Sequence, residues 1–174
     1  MAGLLFFVAA IASCPHPAAL LLALSAHECG HMATAALLGF GPPRVSLSPA
    51  GIRISYFGTA GVLPSLAVSL SGCLFGALLS LVSVLPADFR LYSGGLAALN
   101  LLPVSCLDGG GALLTVLEAF LLPHTAYRVA RAVSAVFTVL FFALAAAVQL
   151  KAGVNVSLLC VCVYLTVLLP TDGR

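Results

Sequence analysis

Residues 17–38 read PAALLLALSAHECGHMATAALL, an apolar helix with His27-Glu28-Cys29-Gly30-His31 at its centre. These residues, at ~1.5 Å each, span roughly 33 Å, about one bilayer. His27 and His31 are four apart, so both imidazoles lie on one helical face and can grip one Zn²⁺. Glu28 lies about 100° round the helix from His27, which suits a carboxylate that takes a proton from an activated water. Apart from Cys29, these three are the only ionisable side chains between Pro17 and Leu38. Charges at membrane depth cost roughly 2.5–3.5 kcal/mol each on insertion scales, so they persist mainly where they have a task.

The remaining composition agrees with a chain solvated by lipid. Of 174 residues, 62% are hydrophobic and 7% charged, against about 25% charged in an ordinary soluble domain. The reading is an all-α polytopic membrane protein of about six transmembrane helices. Net charge is +2 with Lys and Arg scattered singly, which excludes a nucleic-acid surface. The cysteines lie mostly within apolar segments, so no disulfide framework is expected.

Outward from the HExxH helix, the first segment is Gly3–Cys14, broken by Pro15-His16-Pro17. The second is Pro17–Leu38. Between Gly39 and Gly58, Val45, Leu47, Ile52, Ile54 and Tyr56 alternate with Ser46, Ser48, Arg53 and Ser55 around Pro49-Ala50-Gly51, a short membrane-associated β-hairpin pattern. The third segment is Ala60–Leu85. The fourth runs from Leu91 to Leu122, too long for one straight span, with interruptions expected at Pro103 and at Gly109-Gly110-Gly111. Val129–Leu150 and Gly153–Leu169 are the fifth and sixth. The whole of 1–174 reads as a single domain.

With both termini cytoplasmic, the inner side carries Arg44, Arg53, Arg128, Arg131 and Arg174 and the outer side Arg90 and Lys151, five against two. His31 then lies about 12 Å from the cytoplasmic end of its helix, and Asp108 roughly 25 Å down the fourth segment. Both reach a similar depth, nearer the cytoplasmic face.

A catalytic zinc takes three protein ligands and keeps one position open. His27 and His31 supply two; Asp108, Cys106 and Glu118 are candidates for the third. Asp108 is preferred, because it follows Asn100-Leu101-Leu102-Pro103-Val104-Ser105-Cys106-Leu107, where a helix is free to unwind against protein.

HECGH on one helix and NLLPVSCLDGG on a later one together resemble the site-2 protease family of intramembrane zinc proteases, closest to the bacterial stage IV sporulation group. The resemblance runs over nearly the whole chain. It implies one Zn²⁺ per chain on His27, His31 and Asp108, with Glu28 as general base and Asn100 holding or polarising the substrate peptide. It also implies hydrolysis within transmembrane segments of other proteins, such as membrane-held transcription regulators, in a bacterial cytoplasmic membrane. Two departures stand out: Cys106 takes the place of a proline, and the third helix reads Ser71-Gly72-Cys73-Leu74-Phe75-Gly76 where the group has Gly-Pro followed by Asn. Neither the PDZ nor the cystathionine-β-synthase-type domain of many members is expected, which leaves regulation to a membrane partner.

Beside this stand two other classes: a membrane zinc carrier, and a catalytically inactive relative that binds membrane helices. Glu28 weighs against both, since neither needs a non-ligating carboxylate beside two histidines. For the hairpin, Ile52 and Ile54 are the expected substrate-binding positions, because a strand edge holds a peptide extended for cleavage.

Overall fold

The computed structural model describes residues 14–41, 44–48, 51–55, 61–152 and 162; for 44–48, 51–55 and 152 it describes the backbone alone. The expected first and sixth segments, apart from Cys14 and Cys162, lie outside the described residues. The described elements are helix α1 (Pro17–Leu37), strands β1 (Arg44–Ser48) and β2 (Gly51–Ser55), and helices α2 (Val62–Leu81), α3 (Ala87–Asn100), α4 (Asp108–Phe120) and α5 (Pro123–Ala152).

Local sequence sets the ends. Pro17 opens α1, where its missing N–H costs no helical bond. Gly39, at φ +74°, closes it. The Gly39 N–H donates to Ala36 O and the Phe40 N–H to Ala35 O, the paired bonds of a glycine-terminated helix. Pro123 opens α5 in the same way as Pro17 opens α1.

The expected fourth segment starts earlier, at Ala87, and is two helices. The break falls between Asn100 and Asp108, around Pro103. The three glycines do not interrupt the helix: they form its first turn. Gly109 and Gly110 are glycine for close approach, since a Cβ on either would overlap the backbone carbonyls of Leu101, Leu102 or Val104. α4 therefore folds tightly back over the connection that precedes it. The expected fifth segment is also longer, beginning at Pro123.

α1 packs on α2 and α3, α2 on α3 and α4, and α4 on α5. The interior is made of small side chains such as Ala23, Ala35, Cys73, Ala97 and Ala126, with Ser93 and Ser134 buried among them. The large apolar side chains face outward: Leu63 is 78% exposed, Leu78 63% and Val139 68%. Small residues inside and large ones outside is how helices pack when lipid, not water, covers the surface. Val62–Leu81 and Pro123–Lys151 are long and apolar enough to cross a membrane.

β1 and β2 pair antiparallel, with Val45 opposite Ile54, Ser46 opposite Arg53, and Leu47 opposite Ile52.

Candidate metal centre

His27 and His31 come one turn apart on α1 and are both buried, at 4% and 7% exposure. Their rings meet edge to face, centroids 4.8 Å apart and planes at 83°. Two glycines make the room. A Cβ on Gly30 would come within 2.9 Å of the Phe75 Cβ, so α1 and α2 touch nearly backbone to backbone. A Cβ on Gly72 of α2 would overlap the His31 ring itself. The His31 Nδ1–H donates to the Val68 carbonyl oxygen at 2.6 Å. That bond fixes the ring and turns the Nε2 lone pair into the site, as the outer hydrogen bond of a metal-binding histidine does.

Asp108 arrives from the other side, as the first residue of α4. The connection before it is held by its own backbone. The Val104 N–H donates to Leu102 O and the Leu107 N–H to Val104 O, each at 2.8 Å, with Val104 fully buried. The Ser105 N–H donates to the Ser134 hydroxyl oxygen of α5 at 2.9 Å, which ties the turn to the bundle. The carboxylate is thereby brought to both histidines: Oδ2 lies 2.9 Å from His27 Nε2 and 3.2 Å from His31 Nε2. The two Nε2 atoms are 3.2 Å apart.

This donor set fits a metal. A carboxylate offers lone pairs only, and a neutral imidazole carries a single N–H. His31 commits its N–H to Val68 O. Its approach to Asp108 Oδ2 then sets lone pair against lone pair. A proton relieves one such pair; a cation shared by all three donors would relieve every one of them. The spacing agrees, since donors around a tetrahedral zinc with bonds of about 2.0–2.1 Å stand roughly 3.3 Å from one another. His27, His31 and Asp108 are the one His/Cys/Asp/Glu group of this kind among the described residues.

The other expected residues fall differently. Glu28 is on the helical turn that carries the histidines and is exposed. Asn100, half-buried at the end of α3, donates its amide to the Leu96 carbonyl one turn back at 3.1 Å. Neither Cys106 nor Glu118 joins the group. The side chains of Ile52 and Ile54 lie outside the described residues.

One neighbour was not singled out as a site residue from sequence. Cys73, buried on α2, donates its thiol to Asp108 Oδ2 at 3.5 Å. It stands in the stretch that departs from the family pattern. The usable signal was the spacing of Val68, Gly72, Cys73 and Gly76 along one face of α2, all four buried.

These features define a bundle of apolar helices with a His-His-Asp cluster between one helix and the restart of a later, broken one. No protein-family model and no curated protein matches the chain. Among solved structures it is similar to the site-2 protease from Methanocaldococcus jannaschii, with a TM-score of 0.71 at 18% identity, over 99% of this chain and 88% of that one. The two share a fold.

Proposed function

We propose that the chain is an intramembrane zinc endopeptidase of the site-2 protease type, nearest the stage IV sporulation group in its motifs. It would hydrolyse peptide bonds in or near transmembrane segments of membrane-bound proteins. The observation that carries this is the meeting of His27, His31 and Asp108 beside Glu28, with Asp108 brought to 2.9 Å from His27 across 81 positions of sequence. His27, His31 and Asp108 would hold one Zn²⁺. When bound, the ion would lower the pKa of a water from its bulk value to about 7 and polarise a carbonyl oxygen.

Glu28 is not among the three converging donors, so its carboxylate is available to take the proton from the attacking water and return it to the leaving amine. Asn100 would meet the substrate backbone. Small-residue packing buries both histidines, while the Asp108 side chain stays 25% exposed, which leaves an approach for water.

The hairpin supplies an edge. Two residues separate Ser48 from Gly51, so that pair exchanges ladder bonds, and alternation gives the same to Ser46–Arg53 and Arg44–Ser55. Ile52 and Ile54 then turn their N–H and C=O groups outward along β2. A substrate unwound to a strand would pair there. The orientation that follows from the charge count places both termini in the cytoplasm and the site toward that face. The substrates would be single-span proteins such as membrane-held transcription regulators, with control by a further membrane partner.

The test is co-expression with candidate single-span membrane regulators, comparing wild type with Glu28→Gln. Cleavage lost in the variant at unchanged zinc content supports the reading. Cleavage by both removes Glu28 as the base, and cleavage by neither with zinc bound favours the carrier or helix-binding alternatives.

A further inference from the structure

Between α2 and α3 runs a groove of about 300 Å³ that no other described helix fills. Leu70, Cys73 and Ala77 line one wall and Gly94, Ala98 and Leu101 the other. Small residues leave it open, and Leu74 at its rim is 62% exposed, so the groove opens toward the lipid-facing side. Its upper end is different in chemistry. Ser80 closes the α2 wall there, and the Arg90 Nε–H donates to the Ser80 carbonyl oxygen at 3.0 Å. Arg90 sits one turn before Gly94 on α3, in the first turn of that helix, where the chain emerges from the 82–86 connection. No carboxylate pairs with it among the described residues: Asp88, on the same turn, lies 3.7 Å from His16 instead. Among the described residues the guanidinium is thus anchored by Nε alone, with its two terminal NH₂ groups left for a partner.

The groove is an apolar channel with an anchored cation beside its Ser80 end. From Ser80 to Leu70 it runs roughly 15 Å, half of the ~30 Å hydrocarbon core. That is the depth of one leaflet, which an acyl chain fills and a spanning helix exceeds. We propose that the groove binds one phospholipid, with an acyl chain between α2 and α3 and the phosphate on Arg90. An arginine fork suits a phosphate group, and its uncompensated charge favours a head group of net negative charge. Cys73 lines the inner part of the groove and donates to Asp108. The acyl chain would therefore back the wall against which the candidate metal centre is built.

The full-length protein, stripped of lipid in dodecyl maltoside and titrated with palmitoyl-oleoyl phosphatidylglycerol, is read by native mass spectrometry. Wild type should retain one lipid per chain, with phosphatidylcholine at least fivefold weaker. Arg90→Gln should weaken phosphatidylglycerol at least fivefold, and Arg90→Lys by less. Ala98→Leu, which fills an exposed part of the groove, should weaken both lipids. Zinc content should be unchanged in all three variants, which separates this proposal from that of the metal centre. Millimolar inorganic phosphate should not displace the lipid. Wild-type retention in both Arg90→Gln and Ala98→Leu overturns the proposal. So does displacement by an apolar single-span peptide that is insensitive to Arg90→Gln, since a helix would then own the groove. Displacement by inorganic phosphate alone would overturn the acyl part.

Discussion

In the proposed site Glu28 and Asp108 would have different tasks, as base and as ligand, and what each touches supports that division. Asp108 places Oδ2 between two imidazole nitrogens, whereas Glu28 is exposed beside them. Removing a positioned proton carrier costs about 10²–10⁴ in rate. Glu28→Gln should therefore lose cleavage by that factor and keep one zinc per chain by atomic absorption; loss of zinc would make Glu28 a ligand. Asp108→Ala, His27→Ala and His31→Ala should each lower zinc content together with activity. Asp108→Ala with full zinc and turnover would send the search for a third ligand to Cys73, which reaches the same oxygen. The two histidines were readable from their spacing alone. Asp108 was readable because an aspartate in an apolar segment needs a partner. Cys73 was not, because a thiol among leucines and glycines looks like any small packing residue until the partner helix is in place.

At the scale of the elements, glycine decides how closely α1 and α2 approach. Gly72 faces the His31 ring with no room for a Cβ, while Gly95, on the exposed side of α3, has nothing within 4 Å of where one would be. The same substitution at the two sites should act in opposite directions. Gly72→Ala should destabilise by about 1–3 kcal/mol, the ordinary cost of overpacking, and lower zinc affinity as His31 is displaced. Gly95→Ala should be neutral or stabilise by up to ~1 kcal/mol, since alanine is the better helix former. Thermal unfolding in detergent, with and without added zinc, measures both. Equal stability of the two variants would contradict the close approach. The sequence located the break in the fourth segment near Pro103 but mistook the role of the glycines after it. A glycine triplet reads as a flexible stretch; here all three are helical, and two of them have to be glycine because the preceding carbonyls crowd the first turn of α4.

For the whole molecule, composition alone indicated lipid as the solvent, and the exposed leucines with an alanine-rich interior carry the same message in three dimensions. Order along the chain is what assembles the site. The HExxH helix is followed at once by the β1–β2 hairpin, and the chain returns with Asp108 only after two more helices. If the hairpin is the template for an unwound substrate, its two kinds of position must behave differently. Proline at Ile52 or Ile54 removes an outward N–H and leaves the β1–β2 ladder intact, so substrate cleavage should fall tenfold or more while zinc content and protein level hold. Proline at Arg53 removes a ladder donor and should lower protein stability as well. The measurement is cleavage of one co-expressed single-span substrate by each variant, normalised to membrane-extracted protein. Undiminished cleavage in both Ile52→Pro and Ile54→Pro would leave the hairpin as a connector, and extension of the substrate would then have to come from the helices that line the metal centre.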